Sequence, residues 1–259
     1  MELPWLENLD GRFPPVHRAL EEPNGLLCAG GTLSPPTLLE AYRNGIFPWF
    51  DDDQPVLWWS PDPRMILRVE DFTPSRSLRK TLKRETFEFK LDAQFTQVMR
   101  CCAAPRGHEN GTWITPDMLA AYAQLHEMGY AHSMEAYRDG ELVGGLYGVA
   151  IGRQFFGESM FSRADNASKA ALTVLIAQLK RWAFEIIDCQ VTNPHLVSLG
   201  AEEISRAAFV RQITQACAAP SNPGIWCLDD DLRSGSGALE ELSAENPSAC
   251  EPMLPSSAK

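Results

Sequence analysis

The sequence predicts an α+β fold, a small N-terminal domain followed by a larger mixed domain, and three observations predict it. The first sixty-odd residues are dense in turns and aromatic side chains: FPP, EEPNG, CAGG, LSPP, GIFPWF and WWSPDPR. From Arg64 onward the texture changes to strand and helix patterns. Three strand patterns then follow one another directly, and an apolar helix and an apolar strand come after them, the mixture of strand runs and helices expected of an α+β domain. The expected division is 1–64 for the small domain, 65–228 for the larger one, and 229–259 for a tail.

Within the first domain Ser34 reads as a helix N-cap with prolines behind it, opening a short helix over 37–43 that Gly45 ends. MILRVEDF reads as a strand, followed by a basic helix and by FEFKLD, another strand. Residues 92–103 and 115–128 read as helices, the second opened by Thr115-Pro116-Asp117 and closed by Gly129. Residues 131–138, 141–151 and 153–158 read as three strands, with Asp139-Gly140 as a tight hairpin turn between the first two. A helix over 167–182 carries apolar residues at 171, 172, 175, 176 and 179, and an apolar strand spans 184–191. Residues after about 229 are acidic and rich in Ser, Gly and Pro, and are expected to be disordered.

The 259 residues are 44% hydrophobic and 22% charged, ordinary for a globular chain. No secretion signal is read at the N-terminus and no apolar run is long enough to span a bilayer, so a soluble cytoplasmic protein with no membrane contact is expected, and a monomer by default. The seven cysteines are odd in number and contain no C-x-x-C, which points to free thiols and not to a disulfide framework or a zinc knuckle. The formal charge of −11 is unevenly spread. Asp229, Asp230, Asp231, Glu240, Glu241, Glu245 and Glu251 sit in the tail against only Arg233 and Lys259. By contrast Arg76, Arg79, Lys80, Lys83 and Lys90 recur at helical intervals, either a solvated face or, as the one-sided spacing favours, a stripe that tracks phosphates.

Several chemistries are set aside by missing residues. Gly25–Gly31 has a phosphate-loop spacing without the following Lys, His126-Glu127 lacks a second His at 130, and 157–161 lacks the closing glycine of a nucleophile elbow. No metal site and no cofactor are expected. The informative strand is FEIIDCQV, in which alternation points Asp188 and Gln190 to the same side. A carboxylate on an apolar strand is costly unless paired, hydrogen-bonded or functional. From the strand alone Asp188 is equally a structural group and a reactive one. Glu158, at the end of FFGE, raises the same question.

GLLCAGG, LLEAYRNGIFPWF, WWSPDPR, GTWIT, GYAHSMEAY, LVGGLYGV, FFGESMFS, NASKAAL, IDCQ and HLVSLGAEEISR follow one another along the chain. In this order they resemble the leucyl/phenylalanyl-tRNA–protein transferase family, from about residue 13 to residue 209, the acidic tail lying outside. The resemblance implies a small N-terminal domain followed by a GNAT-like acyltransferase domain. It also implies transfer of Leu, Phe or Met from aminoacyl-tRNA to proteins with N-terminal Arg or Lys, which marks them for degradation. Gln154-x-x-Gly157-x-Ser159 is a near miss to the acetyl-CoA loop, so coenzyme A is not implied.

Carried over by motif, Asp188 and Gln190 match the pair assigned to catalysis and Glu158 an active-site acid. Trp49 and Trp113 match aromatics that grip the terminal adenosine of the tRNA by stacking. Phe155, Met160, Leu146, Leu172 and Leu175 are expected to line an apolar pocket for the transferred side chain, with a plain core role the alternative for each and equally open for Leu172 and Leu175, and Arg76, Arg79, Lys80 and Lys83 to meet the tRNA backbone. In this reading Asp188 orients the attacking amine and relays its proton, Gln190 holds the amine, and Glu158 binds the acceptor's cationic side chain. Two rivals are an acetyl-CoA-dependent enzyme and a non-catalytic tRNA-binding module.

Overall fold

The computed structural model describes residues 3–9, 12–104, 112–220 and 224–244. The N-terminal part holds β1 (Leu26–Ala29), α1 (Pro35–Arg43), β2 (Phe47–Pro48) and β3 (Leu57–Trp59). Pro35 and Pro36 open α1, where missing N–H groups cost nothing, and Gly45 leaves it at φ 73°, a left-handed position that favours glycine. The three strands form their own sheet in the order β1-β3-β2. Trp58 at its centre is fully buried and donates from Nε1 to the Gly30 carbonyl at 2.9 Å.

The second sheet has seven strands and carries the rest of the molecule. Its elements are β4 (Arg64–Arg68), α2 (Arg76–Lys83), β5 (Glu88–Leu91), α3 (Phe95–Ala103) and α4 (Pro116–Glu127). They continue with β6 (Ala131–Arg138), β7 (Glu141–Ile151), β8 (Gln154–Ser162), α5 (Ala167–Arg181) and β9 (Ile186–Gln190). The chain closes with α6 (Pro194–Val197), β10 (Glu202–Ile204), α7 (Arg206–Ala218) and α8 (Gly235–Ser243). Spatial order is β10-β4-β9-β8-β7-β6-β5. Asp139 and Gly140 both take positive φ, 53° and 79°, so the predicted hairpin turn has the handedness that matches strand twist. Strands β6, β7 and β8 form an antiparallel meander, whereas β8 and β9 are parallel, joined over the sheet by α5. Gly144 on β7 lets α5 approach: a Cβ there would sit 2.5 Å from the Ala167 side chain.

Two hydrophobic cores lie on opposite faces of this sheet. One takes the inward residues of α2 and α5, including Leu78, Leu82, Leu172 and Leu175. The other takes α1, α3, α4 and α7 together with the N-terminal sheet.

The expectation of a disordered tail is corrected up to residue 244. Residues Asp230–Arg233 form a 3-10 turn and α8 follows, with Trp226, Leu228, Leu232 and Ala238 buried in the core on the α5 side. Arg181 at the end of α5 pairs with Asp229 (2.8 Å), Asp231 (2.6 Å) and Glu241 (2.7 Å). Acidic composition therefore masks a set of apolar anchors and a basic partner on the helix beneath. The remainder of the expected tail, 245–259, lies outside the described residues.

Candidate active site

Strands β8 and β9 are paired only at Phe155–Ile187 and Phe156–Asp188. Where they part, a pocket of about 460 Å³ opens between Gly157–Met160 on one strand and Asp188–Val191 on the other. Its floor is apolar and comes from four elements: Leu146 of β7, Phe155 and Met160 of β8, Leu172 of α5 and Ile187 of β9. Leu67 of β4, which the motifs did not single out, joins them. Leu175 does not. It is 1% exposed inside the core and is not a pocket residue, because α5 is buried on nearly every side and only the phase of Leu172 faces the opening.

The mouth carries aromatic side chains. Trp49 is 45% exposed and leans against Trp59 with ring centroids 5.5 Å apart, and Trp113 also lines the pocket. Asn193, His195 and Leu196 close another side from α6. Burial and the nearby Lys169 hold the His195 imidazole below its usual pKa, which favours its neutral form.

The polar wall is a chain of hydrogen bonds, fully buried at Arg64 and Asp188 and part-buried at Gln190 and Glu158. Arg64, fully buried, donates from Nε to Asp188 Oδ1 at 2.8 Å and from Nη2 to Oδ2 at 2.6 Å. Asp188 Oδ1 also accepts the Gln190 backbone N–H at 2.9 Å. A strand bulge near Met65 and Ile66 and a left-handed Gln190 (φ 64°) turn that side chain across the pocket, where its Nε2 donates to Glu158 Oε1 at 2.9 Å. The phenol oxygens of Tyr42 and Tyr122 lie 2.7 and 3.1 Å from Glu158 and beside each other, so their two hydrogens are shared among three contacts. The structure thus brings Asp188, Gln190 and Glu158 into one network.

The two carboxylates are held very differently. Asp188 faces a guanidinium in a bidentate pair, the arrangement that stabilises a carboxylate as an anion. Glu158 faces neutral donors. Burial pushes its pKa up to about 8, assisted by the charge of Asp188 and partly opposed by the bonds from Tyr42, Tyr122 and Gln190.

The basic residues Arg76, Arg79, Lys80 and Lys83 lie exposed on α2, whose opposite side buries Leu78 and Leu82. They do not line the pocket. Arg79 Nε donates to the Pro74 carbonyl at 2.9 Å. Helix α2 abuts the start of α5 through Asn166, which donates to Thr81 at 3.2 Å.

Sequence reasoning missed Arg64, Tyr42 and Tyr122. Arg64 stands in the WWSPDPR block and both tyrosines on apolar helix faces, so a buried polar group within a hydrophobic pattern was the available signal. Among the described residues no group of three His, Cys, Asp or Glu is gathered to hold a metal ion. No helix among them is long and apolar enough to cross a membrane.

Comparison with known proteins agrees with the motifs. The family described as leucyl/phenylalanyl-tRNA protein transferase matches residues 66–214, and its N-terminal domain matches 31–62. The leucyl/phenylalanyl-tRNA–protein transferase of Nitrosospira multiformis is 56% identical over 229 residues, 88% of this chain and 98% of that one. That of Hahella chejuensis is 60% identical over 209 residues, 80% of this chain and 88% of that one. Among solved structures, L-PGS from Bacillus licheniformis is similar at 14% identity and a TM-score of 0.37, covering 62% of this chain and 52% of that one, too distant to carry an argument. The chain belongs to the leucyl/phenylalanyl-tRNA–protein transferase family.

Proposed function

We propose that this member of the family transfers Leu, Phe or Met from aminoacyl-tRNA to the α-amine of proteins that begin with Arg or Lys, marking them for the N-degron pathway. The observation that carries the reading is one pocket with an apolar floor, a polar wall of Glu158, Asp188 and Gln190, and tryptophans at its mouth. The floor takes the transferred side chain; Met160 and the leucines are deformable enough to accept Leu, Phe or Met alike. Trp49 and Trp113 stack on the terminal adenosine, and the α2 stripe meets the tRNA backbone. The order β5, α3, α4, the β6–β8 meander, α5 and a parallel β9 supports a GNAT-like domain over 65–228, with 1–64 as the smaller domain before it. The protein acts as a monomer in this reading, and a charged tRNA donor fits the cytoplasm.

The aminoacyl ester is already activated, so the site has to position the amine and remove a proton from it. An α-amine has a pKa near 8 in water. The nitrogen attacks the ester carbonyl, the new N–C bond forms, and the C–O bond breaks with its electron pair passing to the ribose oxygen. Gln190 donates its amide N–H to Glu158, which leaves its carbonyl oxygen to hold the amine. Asp188, with both oxygens on Arg64, orients Gln190 through the backbone N–H and does not itself take the proton. Glu158 takes it and returns it to the leaving ribose oxygen. A carboxyl with a pKa near 8 is matched to that exchange and is a poor anchor for a cation, so its role moves from binding the acceptor to handling the proton. The test incubates purified chain with charged Phe-tRNA and an Arg-initiated peptide and reads the mass of the product. Addition of one Phe residue is expected; no addition from Phe, Leu or Met donors would sink the reading.

A further inference from the structure

Behind the polar wall of the pocket stands Arg64, bonded to Asp188. It is the first residue of β4 and is 0% exposed. All three of its donor groups are engaged: Nε and Nη2 on the two oxygens of Asp188, and Nη1 on the Gly45 carbonyl at 3.0 Å. The Phe47 and Phe209 rings also lie against it, their centroids 4.9 Å and 4.5 Å from the guanidinium carbon. Gly45 and Phe47 belong to the turn and strand that lead into Trp49, on the donor side of the pocket. Asp188 belongs to the strand that presents Gln190.

We infer that Arg64 is a positioning residue for the transfer reaction, bracing the Trp49 wall of the pocket against the Asp188–Gln190 wall. This inference rests on the function proposed above. A guanidinium is planar and presents its donors in a fixed fork, so the carboxylate, the carbonyl and the two rings can be satisfied together in one orientation only. That orientation sets where Asp188 holds the Gln190 backbone, and hence where the carboxamide stands between Glu158 and the substrate. The segment before Arg64 has its own fastening. The Arg206 backbone N–H bonds Asp62 at 3.0 Å and Arg206 Nη1 bonds the Ser60 carbonyl at 2.5 Å. Strand β4 is also paired to both β9 and β10. The fork is therefore not needed to place the strand; its distinct effect is on the side chains it joins. A buried ion pair is in general weak evidence for stability alone.

The test is Arg64→Lys, which keeps the charge and loses the fork. Steady-state transfer from Phe-tRNA to an Arg-initiated peptide is measured beside near-ultraviolet circular dichroism, with rates normalised to the folded fraction. The expected result is a kcat lower by about 10- to 100-fold, the usual cost of a small misplacement, with KM for the charged tRNA within about threefold of wild type. Arg64→Ala adds a second readout: free guanidinium chloride should restore part of kcat, and sodium chloride at equal ionic strength should not. Should Arg64→Ala fail to fold, Arg64→Lys decides alone. A folded Arg64→Lys with kcat within threefold of wild type overturns the inference, as does a deficit that vanishes on normalisation. A wild-type chain that transfers nothing overturns the proposed function, and this inference with it.

Discussion

The molecule contains two buried carboxylate clusters built from similar parts, and only one of them borders the pocket. The first joins Arg64, Asp188, Gln190 and Glu158 on the pocket wall. The second joins Asp92, His132, Ser133 and Glu135 near the far edge of the same sheet. There Asp92 Oδ2 lies 2.8 Å from His132 Nδ1 and accepts the Trp226 N–H at 2.8 Å, while Oδ1 accepts the Ser133 N–H at 2.9 Å. Glu135 accepts from Ser133 Oγ at 2.6 Å and from the Ala93 and Gln94 N–H groups at 3.2 and 3.3 Å.

Both clusters hold a glutamate raised by burial, Glu158 to about 8 and Glu135 to about 7. Trp226 stacks on His132 at 3.6 Å, nearly parallel, and none of the second cluster lines the pocket. A perturbed pKa thus marks burial in both places, and function only where a cavity brings a reacting group to the carboxyl. The first cluster faces the pocket, where the proposed function has it position reactants; the second fastens the C-terminal segment to the sheet and sits beside the start of α3.

The sharpest way to break this contrast is Asp188→Ala. It should lose most transfer activity, on the order of 10²–10⁴-fold, because the orientation of Gln190 is lost. It should also unfold more easily by about 3–5 kcal/mol in urea titration, because Arg64 is left buried and unpaired. The variant stays folded at low denaturant; near wild-type turnover there would remove Asp188 from the machinery.

Glu158→Gln should lose transfer by a similar roughly 10²–10⁴-fold, with less change in stability, and without the rise in kcat on going up through pH 8. The readout that separates roles is the kinetic split. A KM for the Arg-initiated peptide that climbs while kcat holds would assign Glu158 to the acceptor's cation after all.

Outside both clusters, replacing Arg76, Arg79, Lys80 and Lys83 together by Ala should weaken charged-tRNA binding. Its log–log salt slope should flatten by about 0.7–0.9 for each phosphate that is no longer neutralised. An unchanged affinity and slope would leave the α2 stripe as a solvated face. Trp113→Ala should cost a Phe-adenosine donor about 1–3 kcal/mol in competition binding, the worth of one stacked base; indifference would mean that the adenosine lies elsewhere.

The smallest effect is expected from Glu135→Gln, and it completes the comparison. Transfer should be unchanged. For a carboxyl raised on folding, the unfolded chain releases its proton first, so native stability falls as pH rises from about 4.5 towards 7. The variant should flatten thermal stability across that window by at most about 1.4 kcal/mol per pH unit. A clear loss of transfer in Glu135→Gln would show that the second cluster is coupled to the pocket.

Much of the chemistry was legible from local pattern. The alternation in IIDCQ put Asp188 and Gln190 forward, and both enter one network, although through a bulge and a left-handed residue that alternation does not foresee. Nine of the ten proposed catalytic and substrate-binding residues line the pocket. Leu175 does not, because helical spacing identifies a buried side chain without saying whether it borders a protein core or a cavity. Helix α5 is buried all round, and its nearly continuous apolar sequence was a sign that something covers its outer face. The cover is Trp226 and Leu228, just before the segment read as a tail, together with Leu232 and Ala238 inside it, whose apolar spacing its acids obscure.

The sequence by itself determined the local elements: the Asp139-Gly140 hairpin, the proline-opened helices, the strand that carries Asp188 and Gln190 and, by its motifs, the family. These depend on interactions between near neighbours, which residue order specifies directly. Tertiary structure alone decided the partners. Arg64 meets Asp188 across 124 positions of chain, and Tyr42 and Tyr122 meet Glu158 from helices on separate parts of the sequence. How far the Glu158 carboxyl is raised depends on those encounters. Charge, burial and hydrogen bonding act through space, and only the folded sheet with its helices brings these groups within reach of one another.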